Sequence, residues 1–345
     1  MSTVACFFHR LQLSFRPRYE WALGERIEHP ERTERADQIL KSLQHEPNRF
    51  EVLTPERQPL DEIAALHYPE LLELYKTAES LAEGETFYPS VYLHNHALDI
   101  DTSNIYHTGH FCFDSGTPLN RETRTAAVWS AACALSAAET VRGGQAPLAY
   151  ALSRPPGHHA SEGLFGGYCY FNNAAIAATY FRQYGRVAVL DIDAHHGNGT
   201  QSIFWRDPEV LTISIHADPA VSFPFFLGYR NEHGQGEGLG RNINIPLPKD
   251  ADGQEFLRVL EDEALAAIRT FMPKHLVIAA GVDAYKLDPV GLLSLETSDF
   301  YRAGELIAQT KLPLCVVQEG GYYTPDIGTN VLAVLNGMRD GCGIH

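Results

Sequence analysis

The stretch "LDIDAHHGNGT", residues 190–200, decides the fold and points to the functional site. It continues an apolar run, "RVAV" at 186–189, that has the composition of a buried strand. Two acids and two histidines then fall within six residues: Asp191, Asp193, His195 and His196. Ionisable groups are costly to bury without partners, so their crowding at the tip of a strand indicates a functional site.

Further apolar runs, rich in β-branched residues and bounded by Gly, Pro or Asn, recur from about residue 123 onward. We predict strands within 146–152, 186–193, 210–216, 242–247, 275–281 and 312–321. We predict helices within 123–143, 172–184, 251–271, 298–310 and 325–338, with Ser298 as the cap of the fourth. Strands that alternate with helices indicate a parallel sheet covered on both faces, so the expected fold class is α/β in a single domain. Such sheets bind ligands beyond the carboxyl ends of their strands.

The charge balance limits the class of partner. The 345 residues include 27 Lys and Arg against 43 Asp and Glu, which gives a formal net charge of −16. Sequence-independent nucleic-acid binding needs a basic surface, so we expect no nucleic-acid partner. The acidic chain suits a small cationic ligand, although the charge can equally serve solubility alone.

The chain shows no signal-peptide pattern at its start and no run of about 18 apolar residues, so we expect no membrane partner. Six scattered cysteines without a CxxC pattern indicate buried thiols in a reducing compartment. The predicted location is therefore cytoplasmic.

A set of metal ligands can be read from two strand ends. Asp193 and His195 are two residues apart, so on a strand they point to the same side. The segment "VIAAGVDAYKLDP" adds Asp283 just after another apolar run. Carboxylate and imidazole ligands suit a divalent metal such as zinc, and three protein ligands leave the open position of a catalytic site. Iron(II) suits the same ligands.

Two more segments bring polar groups to strand ends. "SRPPGHHASEGLFGGYCYFNN" places His158 and His159 after one predicted strand, and "VVQEGGYYTP" places Tyr322 after another. Together with a metal these groups indicate amide hydrolysis, because a metal ion activates a water and polarises a carbonyl. A histidine can move the proton, and the tyrosine hydroxyl can donate to the oxyanion. Asp191 is expected to hold His158 or to bind a monovalent cation.

These motifs resemble the histone deacetylase superfamily and, within it, the bacterial acetylpolyamine amidohydrolases. The resemblance covers most of the chain, from "EHPERTERADQI" through "SRPPGHHA", "VAVLDIDAHHGNGTQSIF" and "AAGVDAYKLDP" to "QEGGY". It implies the arginase/deacetylase fold, an eight-stranded, mostly parallel sheet with helices on both faces, in a single deacetylase domain over 1–345. It also implies a function: zinc-dependent removal of acetyl groups from acetylated polyamines or diamines.

The resemblance implies roles for individual residues. Zinc is expected at Asp193, His195 and Asp283. His158 and His159 are the expected histidine pair, with His159 as the general base. Tyr322 is the expected carbonyl-polarising group. Substrate-binding residues are expected at Tyr168 and Phe223, which match the aromatic pair of the family's acyl tunnel, and at Gly167 and Asp114. A structural potassium ion is expected at Asp191 and Ser214.

One position departs from the animal histone deacetylases. Asn198 stands where many of them have an aspartate that partners the second histidine. An amide carries no charge, so we expect His159 to be less basic and a better base near neutral pH.

The substrate is read from segment 79–120, a long, loop-rich and aromatic insertion. In the polyamine branch such an insertion forms a homodimer and narrows the entrance, which favours a slender acetylated amine over a protein tail. Asp114, or Asp99 and Asp101, could bind the cationic amine. Val290 supplies no charge where some relatives carry an acidic gatekeeper.

Three other classes of protein share part of this pattern. An arginase-like enzyme needs a second metal, and Gly197 stands where its extra ligand would be. A non-enzymatic sensor would typically have lost a ligand or the tyrosine, and all are present. A protein acyl-lysine deacetylase has the same chemistry, and the sequence leaves this alternative open.

Overall fold

The computed structural model describes residues 3–22, 24–92 and 99–344. Within these ranges the strands are β1 Val4–Phe7, β2 Tyr19–Ala22, β3 Glu25–Glu28, β4 Phe50–Leu53, β5 Leu148–Ala151, β6 Val187–Asp191, β7 Val210–Ala217, β8 Asn242–Leu247, β9 His275–Ala280 and β10 Leu314–Gln318. Eight of them form one sheet in the order β4-β1-β5-β10-β9-β6-β7-β8, and each neighbouring pair is parallel. Strands β2 and β3 form a separate antiparallel hairpin.

The helices in the same ranges are α1 Thr33–His45, α2 Leu60–Leu66, α3 Pro69–Ala78, α4 Thr123–Arg142, α5 Asn173–Arg182, α6 Asn198–Phe204, α7 Gly253–Val259, α8 Leu265–Phe271, α9 Thr297–Ala308 and α10 Ile327–Gly341. A π-helical turn, Leu260–Ala264, joins α7 to α8. Across the described residues, no helix is long and apolar enough to span a bilayer.

The sheet is covered on both faces because its strands alternate their side chains between two cores. In β6, Val187 and Val189 pack into a core with the alanine-rich helices α4 and α5. Ala188 and Leu190 pack on the opposite face with α1, α9 and α10. Burying a valine or leucine side chain contributes about 1.5–3 kcal/mol, so this two-sided burial explains why β6 reads as a continuous apolar run.

The structure confirms the α/β fold with eight strands and makes the sheet wholly parallel rather than mostly so. The six predicted strands are β5 to β10. Strands β1 and β4 were not predicted, since each has four residues and precedes the region where strands and helices alternate. The predicted helix 251–271 is interrupted by the π-helical turn. All six cysteines are free thiols.

The cap predicted at Ser298 was wrong. Helix α9 begins one residue earlier, and Glu296 is its cap. Asp299 and Glu296 each accept a hydrogen bond from the other's backbone N–H, which forms a capping box. An acidic pair at these positions satisfies two free N–H groups, whereas a serine cap would satisfy one.

The sheet order places five strands side by side at its centre: β5, β10, β9, β6 and β7. Because they are parallel, their carboxyl ends meet at one edge. The candidate active site lies at this edge.

Candidate active site

The catalytic and metal-ligand candidates predicted from the sequence lie on loops that follow central strands. The loop after β5 carries His158 and His159, and the loop after β6 carries Asp193 and His195. The loop after β9 carries Asp283, and the loop after β10 carries Tyr322. Strand β6 itself ends at Asp191, so the two candidate ligands beyond it are loop residues held by hydrogen bonds rather than strand residues.

Asp193, His195 and Asp283 form one buried cluster. Each offers a ligand atom within 4.8 Å of the others. The Nδ1 atom of His195 lies 3.1 Å from Asp193 Oδ1 and 3.1 Å from Asp283 Oδ2. Both carboxylates are fully buried. Two buried carboxylates that face one imidazole are a suitable donor set for a divalent cation, so these residues fit a metal such as zinc or iron(II).

The pKa values of Asp283 and His195 are both raised, so the cluster favours added positive charge. Burial and the charge of Asp193 raise the pKa of Asp283 to about 7. Burial disfavours a charged His195, but Asp283 and Asp193 outweigh it and raise the pKa of that ring well above its usual value. Both shifts show that a proton is favoured beside these buried carboxylates. A divalent cation can take the place of such a proton.

Backbone N–H groups satisfy the remaining carboxylate lone pairs. Gly320 N donates to Asp193 Oδ2 at 2.7 Å, and Ala194 N donates to Asp283 Oδ1 at 2.7 Å. A Cβ atom on Gly320 would lie 2.1 Å from Asp283 Oδ2, so the close approach of this loop requires glycine.

The ring orientation of His195 is fixed from its other side. Its Nε2 lies 3.2 Å from the carbonyl oxygen of Val290. A carbonyl can only accept, so Nε2 donates to it. Nδ1 is therefore the ring atom that can bind a metal ion once its own proton, which faces the two carboxylates, is displaced.

The two neighbouring histidines have different partners. His158 Nδ1 lies 2.9 Å from Asp191 Oδ2, whereas His159 Nδ1 lies 2.7 Å from the amide oxygen of Asn198. The ring centroids are 4.0 Å apart. The first of the two expectations for Asp191, that it holds His158, therefore matches the geometry.

These partners separate the two pKa values. Burial disfavours the charged form of His158, but Asp191 and Asp193 outweigh it and raise its pKa to about 10. Burial and the positive charges of His158 and His195 hold the pKa of His159 well below its usual value. Burial and the neighbouring charges cause this low basicity of His159, whereas the hydrogen bond to Asn198 acts in the opposite direction and raises the pKa. Near neutral pH one ring carries a proton to give and the other is free to take one.

Tyr322 is held between two flat groups and is only 8% exposed. The guanidinium carbon of Arg35 lies 4.6 Å from the centre of its ring, and the ring of Tyr168 meets it edge-on at 5.7 Å. Burial is the largest cause of a pKa for Tyr322 well above the usual value, so the hydroxyl stays protonated and can donate.

Phe223 and Gly167 lie beside His159, and Tyr168 follows Gly167 in the same loop. Phe223 packs edge-on against His159 with centroids 5.0 Å apart. Gly167 and Tyr168 both have positive φ angles, +56° and +65°. A Cβ atom on Gly167 would lie 2.2 Å from His159 Cδ2, so only glycine lets this loop approach the ring.

Asp114 points into the protein's own loops. Its carboxylate accepts hydrogen bonds from Gly116 N at 2.9 Å, from Thr117 Oγ1 at 3.0 Å, and from Gly167 N. These bonds anchor the loop that carries Tyr168. Asp101, one of the two alternative candidates for binding the amine, lies on the protein surface. Its carboxylate accepts hydrogen bonds from the backbone N–H and the hydroxyl of Ser103.

Ser214 lies opposite Asp191 in the β6–β7 register. Its hydroxyl is 2.8 Å from His216 Nδ1. Both carboxylate oxygens of Asp191 are also occupied, by His158 and by Asp193 N. The potassium site stays a prediction.

Several buried charged residues have contacts that the sequence analysis missed. Glu319 Oε2 accepts from Gly157 N at 2.7 Å and from His158 N at 3.1 Å, so it positions the histidine pair. Arg35 donates to the carbonyl oxygens of Glu319 and Gly321, which fixes the loop before Tyr322.

Glu31 connects two arginines beneath the site. It pairs with Arg35 at 2.8 Å and with Arg154 at 2.9 Å, and all three are buried. Removing one partner of such a pair costs about 3–5 kcal/mol because a buried charge is left uncompensated. Their only signal in the sequence was that charged residues stand inside the quoted motifs "EHPERTER", "SRPPGHH" and "QEGGY".

Comparison with known proteins identifies the family. The model of the histone deacetylase domain matches residues 29–338. Acetylpolyamine amidohydrolase 1 of Pseudomonas aeruginosa is 41% identical over 88% of this chain and 90% of its own length. The acetylpolyamine amidohydrolase of Mycoplana ramosa is 36% identical over 91% and 94%. A crystal structure of acetylpolyamine aminohydrolase from Burkholderia pseudomallei matches with a TM-score of 0.91 and 36% identity, over 98% of this chain and 99% of that one.

The chain therefore belongs to the histone deacetylase family. It has the arginase/deacetylase fold, and its enzyme class is that of a hydrolytic deacetylase.

Substituting Asn198 tests the separation of the two histidine pKa values. In Asn198→Asp the new carboxylate favours a charged His159 and raises its pKa, so the neutral base is lost at a higher pH. The acid limb of the kcat/KM profile should move up by about one pH unit. Asn336→Asp, at a partly exposed position of α10 where the amide oxygen accepts from Arg49, is the control and should leave the profile unchanged. An unmoved acid limb in Asn198→Asp would contradict the role of His159 as the base.

Proposed function

We propose that this chain is a metal-dependent amidohydrolase that removes acetyl groups from acetylated polyamines or diamines and releases acetate and the free amine. The observation that carries the proposal is the buried cluster of Asp193, His195 and Asp283 beside a histidine pair of unequal basicity. This combination offers a metal site, a base and an acid within one enclosed edge of the sheet.

The substrate class is supported by relatives and by charge. Two relatives that match over about nine-tenths of this chain are named acetylpolyamine amidohydrolases. Acetylated polyamines keep at least one ammonium group, and the net charge of −16 favours the approach of cations. A slender amine also suits a site whose aromatic neighbours, Tyr168 and Phe223, pack directly against Tyr322 and His159.

Asp193, His195 and Asp283 would hold the metal. Zinc suits one imidazole and two carboxylates, and iron(II) is the alternative. When bound, the metal supplies Lewis-acid polarisation of the amide carbonyl and lowers the pKa of a water.

The chain's own residues then handle the protons. Neutral His159 removes a proton from the attacking water at its free Nε2, because its Nδ1 is occupied by Asn198. His158, kept charged by Asp191, has a proton for the leaving amine. The Tyr322 hydroxyl donates a hydrogen bond to the developing oxyanion. The positive charge of Arg35 over its ring favours this polarised state.

Two further features stay predictions. Potassium at Asp191 and Ser214 would be structural. A homodimer through segment 79–120 is supported by surface aromatic residues such as Tyr106, which is 75% exposed. Residues 93–98 of this segment lie outside the described residues.

Removing the Tyr322 hydroxyl tests the oxyanion role. In Tyr322→Phe the packing against Arg35 and Tyr168 is retained and only the donor is lost. Turnover should fall by about 10²-fold while metal content stays the same. Tyr301→Phe removes a hydroxyl of α9 that donates to Asp340 of α10, and it should keep full activity. Near-normal turnover in Tyr322→Phe would exclude the role.

A comparison of substrates tests the proposed specificity. Zinc-loaded protein is assayed side by side on acetylputrescine, acetylcadaverine, acetylspermidine and an acetyl-lysine peptide. We expect a small acetylated amine to exceed the peptide at least about tenfold in kcat/KM, or about 1.4 kcal/mol of discrimination in the transition state. A peptide preference would instead assign the chain to the protein acyl-lysine deacetylases.

A further inference from the structure

Asp288, in the loop after β9, accepts four backbone hydrogen bonds with one carboxylate. Its Oδ2 accepts from Tyr322 N at 2.6 Å and from Tyr323 N at 3.1 Å. Its Oδ1 accepts from Val290 N at 3.1 Å and from Gly291 N at 3.3 Å. The two oxygens therefore serve two different loops, the one after β10 and its own.

Both loops carry groups of the candidate active site. The loop after β10 presents the Tyr322 side chain. The loop of Asp288 itself presents the carbonyl oxygen of Val290, which accepts from His195 Nε2 at 3.2 Å. A continuous set of hydrogen bonds thus runs from the backbone of Tyr322 through Asp288 and Val290 to the ring of His195.

We propose that Asp288 is a positioning residue for the deacetylation reaction: it sets the place of the Tyr322 hydroxyl relative to the His195 ring. The inference rests on the proposed function of those two residues. Asp288 itself does not belong to the metal-ligand cluster of Asp193, His195 and Asp283.

The loop after β10 needs such an anchor because of its composition. Tyr322 follows Gly320 and Gly321, and the φ angle of Gly321 is +124°. Two glycines allow a close approach to the carboxylates but constrain the chain little. Arg35 holds this loop through the carbonyl oxygens of Glu319 and Gly321. Asp288 holds it at the N–H groups just beyond, so the backbone of Tyr322 is fixed on both sides.

To hold both loops, position 288 needs a carboxylate, because both of its oxygens must accept hydrogen bonds. An asparagine at 288 has one accepting oxygen and an NH₂ group, which would face two N–H donors and repel them. Asp288→Asn can therefore hold one loop but not both. A displacement of about 1 Å between a catalytic donor and the reacting group can cost about 10² in rate.

The experiment compares Asp288→Asn with a matched control, Asp207→Asn. Asp207 also accepts a backbone hydrogen bond, from Glu209 N at 2.9 Å, but it precedes β7 at the opposite edge of the sheet. We measure kcat and KM on the acetylated substrate that the wild type hydrolyses best. Zinc affinity by chelator competition and the melting temperature are measured on the same proteins.

For Asp288→Asn we expect kcat to fall by about 10- to 100-fold with KM changed less than about threefold. Zinc affinity should fall by about tenfold because the partner of His195 is loosened. Asp207→Asn should change neither. Wild-type kcat and zinc affinity in a folded Asp288→Asn protein would overturn the proposal.

A second test separates positioning from general stability. Asp288→Asn is combined with Tyr322→Phe, and Asp288→Glu takes its place in the cycle if the asparagine protein does not fold. If Asp288 acts through Tyr322, its substitution should lower kcat by less than about threefold once the hydroxyl is gone. Fully multiplicative losses would overturn the proposal. A wild type that hydrolyses no acetylated amine or peptide would refute the proposed function instead, and the zinc affinities would still test the link to His195.

Discussion

Two carboxylates, Asp193 and Asp283, are buried without solvent beside one imidazole at the carboxyl edge of the sheet. Burying like charges together is costly unless a cation is supplied. The neighbouring groups of the site compensate these two carboxylates. Backbone N–H groups of Ala194 and Gly320 take up the outward lone pairs. The inward lone pairs and His195 Nδ1 are left for a metal ion. Glycines are needed wherever a neighbouring loop must approach this cluster closely.

The same concentration of charge gives the two adjacent histidines different pKa values. His158 has a carboxylate at its Nδ1, whereas His159 has an uncharged amide. The carboxylate offsets the effect of burial on the pKa of His158, and the amide does not do so for His159. The positive charge of His158 then further disfavours a second charge on His159. Two residues with the same side chain therefore differ in basicity, because Asp191 and Asp193 raise the pKa of His158 while burial and nearby positive charge lower the pKa of His159.

The sequence was most informative where chemistry and local pattern coincide. Strands β5 to β10 were predictable because their apolar runs end at Gly, Pro or Asn, and the metal-ligand candidates were predictable because they follow those runs. Asp288 and Glu319 could not be assigned, since their partners are backbone N–H groups on other loops. Likewise, Glu31 forms an ion pair with Arg154, which is 123 residues away in the sequence. A local sequence pattern cannot predict such a contact. Asp114 is expected from the sequence to bind the cationic amine, and in the structure its carboxylate accepts hydrogen bonds from Gly116 N and Gly167 N.

Metal reconstitution tests the central claim, that the buried cluster holds a divalent cation on which activity depends. Protein stripped with a chelator is titrated with zinc, and deacetylation and metal content by elemental analysis are followed together. The account predicts that activity returns in proportion to zinc and saturates at one ion per chain. It also predicts that Asp193→Ala neither retains the ion nor regains activity. Full activity in metal-free protein, or stoichiometric zinc in Asp193→Ala, would contradict it.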